Sequence, residues 1–390
     1  MELSAQQGAA LAAVERWSKE PRGAPVFRVH GYAGTGKTTL IRRVVEEFGA
    51  DRVLVGAYTG KAAGVLRSKG VEMAQTIHKL AYRVKGEKRH DRTLEYEPVF
   101  SANEYVEDGY RLIVLDECSM VEEQMARDLL ALRLPILVFG DPAQLPPVKG
   151  TGFFTDSPEY PADRPDVMLT EVHRQARESP VLRAATAIRE GRDVPFGRWT
   201  KEQGSLEVVR CASLATFEVP PDAQVICGRN ATRSAHNARV RRSLGRGELP
   251  EDGDRLICLR NNHRAQLLNG ELCTALGSDD LPPPDEDQLA ALVTRESAFQ
   301  LRFRKDDGEE LARIAWRGPF RGENMALLPF KVRQAAEEFD FAYAITCHKA
   351  QGSQWDRVVV FDERSCFRAE AQRWAYTAVT RAAKDLVIVR

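Results

Sequence analysis

No Cys-x-x-Cys pair occurs among the seven cysteines, at positions 118, 211, 227, 258, 273, 347 and 366. Most lie in apolar runs, as buried thiols do. That pattern excludes a disulfide framework and a zinc site, and it fits a reducing cytoplasm. No excess of charge exists, because 56 Lys and Arg balance 56 Asp and Glu. A chain coated in positive charge is therefore excluded, although a local basic channel is invisible in a total. No apolar run reaches the roughly 18 residues that a membrane-spanning helix needs. The first residues, Met1-Glu2-Leu3-Ser4-Ala5-Gln6-Gln7, lack a basic segment followed by an apolar one, so no signal peptide is expected. No internal repeat is visible, and 390 residues leave room for two or three domains.

What is present begins with Gly31-Tyr32-Ala33-Gly34-Thr35-Gly36-Lys37-Thr38, a full match to the phosphate-binding loop pattern G-x-x-x-x-G-K-[ST]. The apolar run Val26–Val29 precedes it as a buried strand, and Thr39–Val45 follows at helical spacing. Glycines let backbone N–H groups close around phosphate oxygens, and the following helix points its positive end at the same anion. Lys37 is placed to reach the β- and γ-phosphates, and Thr38 to bind Mg²⁺. ATP and Mg²⁺ are the expected cofactors.

Residues 1–190 alternate strand and helix signals. Strands are expected at Arg52–Tyr58, Arg111–Asp116 and Leu134–Gly140, with helices from about Lys61 and Val121. Such alternation argues for an α/β fold, a parallel sheet with helices on both faces. The polar stretch 82–110 breaks the pattern and reads as an inserted hairpin. A second region starts near Ser205, with a strand at Gln224–Gly228 and a helix at Ala231–Leu244 carrying Arg233, Arg239, Arg241 and Arg242. Short strands then run from Arg255 to about Phe330, interrupted by a loop at 281–287, and read as a small β module. Strand–helix logic returns with strands at Phe341–Thr346 and Arg357–Phe361, a helix at Ala369–Thr380 and a strand at Leu386–Val389.

Two further strand ends carry chemistry. Asp116-Glu117 closes one apolar strand; Asp116 suits a Mg²⁺ water shell and Glu117 the polarisation of an attacking water. The next strand ends in Gly140-Asp141-Pro142-Ala143-Gln144-Leu145-Pro146-Pro147-Val148, where Gln144 is suited to sense a terminal phosphate. Ligands of open α/β sheets gather at this carboxyl edge. Phosphoryl transfer also needs positive charge opposite the loop, and Arg174 and Arg381 are the candidates.

Taken in order, Gly31–Thr38, Asp116-Glu117-Cys118-Ser119-Met120, Gly140–Val148, Thr346-Cys347-His348-Lys349-Ala350-Gln351-Gly352 and Tyr376-Thr377-Ala378-Val379-Thr380-Arg381 resemble the superfamily 1B DNA helicases, in their RecD-like and Dda-type branch. The resemblance runs from Gln7 to Arg381. It implies two RecA-like parallel-sheet domains, at 1–190 and 191–390. It implies a strand-separating pin in the hairpin at about 82–110 and an SH3-like module at about 270–335. It implies Gln7 as an adenine contact, although Leu3–Gln7 alone also reads as a helix cap and first turn. Gly31, Ala33, Gly34, Thr35, Gly36, Lys37, Thr38, Thr39 and Gly352 become nucleotide contacts. Thr59, Lys61, Thr76, His78, Asn230, Thr346 and His348 become contacts to single-stranded DNA, where hydroxyls and N–H groups grip phosphates without reading sequence. Lys85, Lys88, Arg89 and His90 either steer duplex toward the pin or form a solvated charged loop.

Gln354 departs from the family, standing where a glutamate is expected. The chain starts at the adenine element and ends nine residues past Arg381, which reads as a minimal motor without further domains. The expected activity is ATP-driven 5′-to-3′ translocation on single-stranded DNA with unwinding of forked duplex, by a monomer. Single-strand binding, replication or recombination proteins are the expected protein partners. A translocase that strips proteins from single strands and a nucleotide-dependent regulatory subunit remain the rival readings.

Overall fold

The computed structural model describes residues 3–20, 25–89, 96–102, 109–147, 150–172, 178–211, 216–260, 262, 267, 269–281, 294, 296–306 and 308–390. Arg174, His90 and the loop at 282–287 lie outside the described residues. The chain divides into two compact units. One comprises Met1–Tyr82, Ala102–Arg229 and Thr346–Arg390, and the other Arg83–Ser101 and Asn230–Ile345.

The first unit is built on short apolar strands that bury both faces. β1 (Val26–Gly31), β2 (Val53–Ala57), β3 (Gln75–Thr76), β6 (Leu112–Asp116), β7 (Ile136–Gly140) and β8 (Val167–Leu169) form, among the described residues, a six-stranded sheet in the order β3-β2-β6-β7-β1-β8. Among the described residues its strands pair in parallel, as continuous hydrophobic strands predict. Alternation along β6 fills two cores. Leu112 and Val114 pack with Leu40, Ile41 and Val44 of α2 (Lys37–Phe48). Ile113 and Leu115 pack with Ile77 of α4 (Ile77–Ala81) and Leu129 of α5 (Glu123–Ala131) on the other face. Each such fully buried side chain contributes about 1.5–3 kcal/mol of transfer free energy. α1 (Ala5–Ser18) and α3 (Gly60–Ser68) cover the α2 side.

A second sheet lies in the same unit, save for Ala344 and Ile345 of its edge strand. β9 (Gly197–Lys201), β10 (Gly204–Val209), β11 (Gln224–Cys227), β17 (Ala344–Thr346), β18 (Trp355–Phe361) and β19 (Ala382–Val389) run in the order β17-β11-β18-β19-β10-β9. β10, β18 and β19 pair in parallel, as do β11 and β18, whereas β9 joins the edge antiparallel. α6 (Pro180–Arg189), α8 (Cys347–Ala350) and α9 (Ala371–Val379) belong to this layer. α6 starts on a Ser179 cap with Pro180 at its first position, a combination that fixes its start.

The second unit is antiparallel. β12 (Arg255–Cys258), β13 (Leu272–Asp279), β14 (Ala298–Lys305), β15 (Glu310–Trp316) and β16 (Phe339–Phe341) form, among the described residues, a five-stranded sheet in the order β15-β14-β13-β12-β16. Strict alternation in β14 sends Phe299, Leu301 and Phe303 inward and leaves Gln300, Arg302 and Arg304 exposed. β4 (Tyr82–Arg89) and β5 (Tyr96–Ala102) form a two-stranded sheet within the stretch expected as a hairpin. The basic helix of the sequence is α7 (Asn230–Ser243), and its arginines are largely consumed locally. Arg241 is buried, donates to Gly247 and Leu249 carbonyls, pairs with Asp254, and stacks 3.9 Å from the Phe341 ring. Arg233 pairs with Asp340 at 2.9 Å.

One element differs from the sequence expectation. Phe341–Thr346 is not one strand: β16 ends at Phe341 and β17 begins at Ala344. The break is held by polar contacts that hydropathy cannot see. Ala342 N–H donates to the Arg255 carbonyl, the Asn237 amide bonds Phe341 and Ala344, and the Tyr343 hydroxyl donates to buried Asp254 at 2.6 Å.

Candidate functional site

Parallel strands end together, so the loops after β1, β6, β7 and β8 share one edge of the first sheet. After β1 the chain turns through Gly34 and Gly36, at φ 80° and 78°, a conformation only glycine adopts freely. Gly36 is also the N-cap of α2 and supplies no side-chain acceptor. The first N–H groups of α2 and its positive end therefore face the loop interior, with Thr38 and Thr39 half-buried in the first turn. Lys37 Nζ donates to the Gly31 and Tyr32 carbonyls, at 2.6 and 3.2 Å. Thr35 Oγ1 donates to the Tyr32 carbonyl at 2.8 Å.

Gln7 braces this loop from α1. It is 1% exposed, and its amide nitrogen donates to the Thr35 and Gly36 carbonyls, both at 3.2 Å. Its amide oxygen accepts from Ser4 N–H, while Ser4 Oγ accepts from Gln7 N–H. Residues 4–7 thus form a capping box, and the glutamine side chain is turned to the loop.

The acidic groups stand on the neighbouring strand ends. Asp116 Oδ1 accepts from Glu117 N–H at 2.9 Å, and Glu117 sits in the left-handed region at φ 53°, a strained position for a non-glycine. Desolvation, together with the adjacent Glu117 carboxylate, pushes the Asp116 pKa well above the ordinary carboxylate range, and Lys37 pulls it the other way. Asp141 is fully buried. Desolvation also raises its pKa, opposed by Lys37 and by the Tyr376 hydroxyl. Gln144 is 5% exposed, and its Oε1 has no hydrogen-bond partner among the described residues. An uncapped helix start, a lysine, a carboxylate destabilised by desolvation and an unsatisfied amide fit a phosphate chain with a divalent cation.

Side chains of the second sheet's layer reach this edge. Tyr376 of α9 donates its hydroxyl to Asp141 Oδ2 and accepts from Ala33 N–H. Thr377 Oγ1 accepts from Leu145 N–H at 2.8 Å, and Gln351 Nε2 donates to the Leu145 carbonyl at 3.0 Å. The Gly140–Leu145 loop is thereby clasped from two places. Arg381 is not brought to the loop. Its guanidinium is buried against Thr377 O, Ser353 O and Thr380 Oγ1.

Tyr376 and Asp141 are polar groups that motif reading named without a role. Tyr376 lies in the fully buried run Trp374–Val379, and a buried tyrosine hydroxyl ordinarily needs a partner. That was the available signal. Arg189, whose guanidinium lies over the Tyr32 ring, carried no signal in the sequence.

The residues expected on DNA fall into two sets. Thr59 caps α3 by accepting from Ala62 N–H, and Thr76 caps α4 by accepting from Lys79 N–H. His78 lies between the Tyr58 and Tyr82 rings, and burial lowers its pKa. Thr346 is the N-cap residue of α8, and His348 in its first turn stands 6.0 Å from the Phe367 ring. Gly352 brings the sets together. A Cβ there would fall 2.7 Å from Thr59 Oγ1 and 2.9 Å from Ala62 Cβ. Beside it, Lys61 Nζ lies 4.7 Å from the Trp355 ring centroid. Asn230 begins α7 in the other unit and is exposed.

Comparison with known proteins matches residues 2–210 to the AAA domain family and residues 341–389 to the UvrD-like helicase C-terminal domain. The chain is 26% identical over 376 residues to the ATP-dependent RecD2 DNA helicase of Deinococcus radiodurans, covering 90% of this chain and 45% of that protein. It is 29% identical over 178 residues to the ATP-dependent DNA helicase dda of Enterobacteria phage T4, covering 42% and 38%. The chain thus spans less than half the length of these two relatives. Its fold is that of the Pif1 helicase from Candida albicans, with TM-score 0.59 at 17% identity, covering 100% of this chain and 94% of the other. The structure of Bacteroides Pif1 bound to ssDNA gives TM-score 0.58 at 18% identity, covering 100% and 92%. With the first domain family spanning over half of its length and the second closing it, this chain belongs to the superfamily 1B helicases, in the RecD-like and Dda-type branch.

Proposed function

We propose that this chain is an ATP-driven DNA helicase that moves 5′ to 3′ on single strands and opens forked duplex as a monomer. The observation that carries the reading is the meeting of two strand-end loops of the first sheet, those after β1 and β7, with Tyr376 and Thr377 from the second sheet's layer. A nucleotide site walled by two sheets can change their relation when its contents change.

In this reading the first RecA-like domain spans 1–190 and the second 191–390. The loop N–H groups and Lys37 hold the phosphates, and Gln7 keeps the loop in shape. Thr38 and Asp116 hold magnesium, which supplies positive charge against the transferring phosphoryl group. Glu117 orients the attacking water, and Gln144 reads the terminal phosphate. Arg174 and Arg381 neutralise developing charge, Arg381 after release from its carbonyl partners. Thr59, Lys61, Thr76 and His78 grip the strand on one side, and Thr346 and His348 on the other. Asn230 adds a contact from α7. The β4–β5 pair serves as the separating pin and the antiparallel sheet as the SH3-like module.

ATP hydrolysis by the full chain, with and without single-stranded DNA, tests the reading. The expected result is strong stimulation by DNA, abolished by Lys37→Ala. Hydrolysis indifferent to DNA would sink the motor assignment and favour a regulatory subunit.

A further inference from the structure

The second sheet's layer places a cation beside the phosphate loop. Arg189 ends α6, and its guanidinium lies 3.5 Å from the centroid of the Tyr32 ring. Its position follows from the helix. Val181, Ala184 and Ile188 are buried, which turns Leu182, Ala185, Thr186 and Arg189, at i, i+3, i+4 and i+7, toward a cavity of about 420 Å³. That cavity opens on Tyr32, Ala33 and Tyr376, directly beside the phosphate loop. Arg189 is also fastened to α9. Gln372 Nε2 donates to the Ile188 carbonyl at 2.9 Å and to the Arg189 carbonyl at 2.6 Å. The helix end that presents Arg189 is therefore tied to the helix that presents Tyr376 and leads to Arg381.

The local charge of Arg189 is only partly matched. Its ion pair is with the adjacent Glu190 at 3.3 Å, and Glu190 also pairs with Arg192. A guanidinium over a tyrosine ring is held more weakly than one in a forked, charge-assisted bond to phosphate. A triphosphate in the loop would outcompete the ring, whereas a diphosphate lacks the oxygens to do so.

We propose that Arg189 is a third phosphate-side arginine, which leaves the Tyr32 ring for the terminal phosphate of bound nucleoside triphosphate and so reports triphosphate against diphosphate to α9. The inference rests on the nucleotide reading of the loop.

Calorimetric titration of the full chain with magnesium-ADP and with a magnesium-bound, non-hydrolysable ATP analogue tests it. The wild-type protein is expected to prefer the triphosphate. Arg189→Gln should cut that preference about five- to tenfold and leave ADP affinity unchanged. Arg189→Lys keeps the helix and the charge but not the fork, so it should lose part of the preference. It decides the matter if the glutamine variant does not fold. Equal weakening of both ligands, or a wild-type ratio in the variants, would overturn the proposal while leaving the loop reading intact. Failure of the wild-type protein to bind either ligand would overturn the loop reading itself, and this inference with it.

Discussion

The Tyr376 hydroxyl donates to Asp141 Oδ2 at 2.7 Å, across 235 positions of sequence, while its oxygen accepts from Ala33 N–H at 2.9 Å. One buried phenol thereby satisfies a carboxylate of one strand-end loop and a backbone donor of the phosphate loop.

Tyr376→Phe removes that hydroxyl and keeps the ring. It leaves the half-buried Ala33 N–H without this acceptor and removes one donor from a fully buried carboxylate, at a cost of about 2 kcal/mol. The melting temperature should fall, and the turnover number should fall more than KM rises, because loop geometry rather than affinity is disturbed. Thermal melting and steady-state hydrolysis check this. An unchanged turnover number would mean that the phenol only fills space.

Gly352 has φ 72° and no room for a side chain. Gly352→Ala should cost about 1–2 kcal/mol from the backbone alone. It should also push the turn off Ala62, whose Cβ cannot retreat on the helix. Affinity for single-stranded DNA, measured by fluorescence anisotropy, should drop.

Arg381→Ala should leave nucleotide binding within about twofold and reduce the turnover number roughly 100-fold or more. Its present partners are Thr377 O, Ser353 O and Thr380 Oγ1, so some loss of melting temperature accompanies the change. Direct nucleotide titration beside steady-state kinetics separates the two effects. Weak binding with intact turnover would contradict the role.

His30 is fully buried, and burial, with Arg28 nearby, pushes its pKa down to about 4. Unfolded, it binds a proton below about pH 6.5; folded, it stays neutral until about pH 4. The unfolded chain therefore holds more protons in that window, and stability falls as pH falls through it. His30→Leu should remove a loss on the order of 3 kcal/mol between these limits. Urea midpoints of both proteins at several pH values give the difference. That comparison isolates His30 from Asp116 and Asp141, whose raised pKa values act in the opposite sense.

The phosphate loop, β1, β2, β6 and β7 were legible because their signals are local: an apolar run, then glycines or a carboxylate at the strand end. β8 is only three residues long, and β9 is exposed at every position, so neither leaves a hydropathy signal. The split between β16 and β17 depends on Asn237, Arg255 and Asp254, far away in sequence. The site divides the same way. Lys37, Asp116 and Gln144 announce themselves by motif. Tyr376 beside Asp141 and Arg189 over Tyr32 exist only once two sheets meet.

The proposed motor moves in one direction along single strands. Forked duplexes carrying a single 5′ or a single 3′ tail, with ATP and magnesium, test it most directly. Unwinding is expected from the 5′ tail alone, abolished by Lys37→Ala. Unwinding from the 3′ tail, or DNA-stimulated hydrolysis with neither duplex opened, would contradict it.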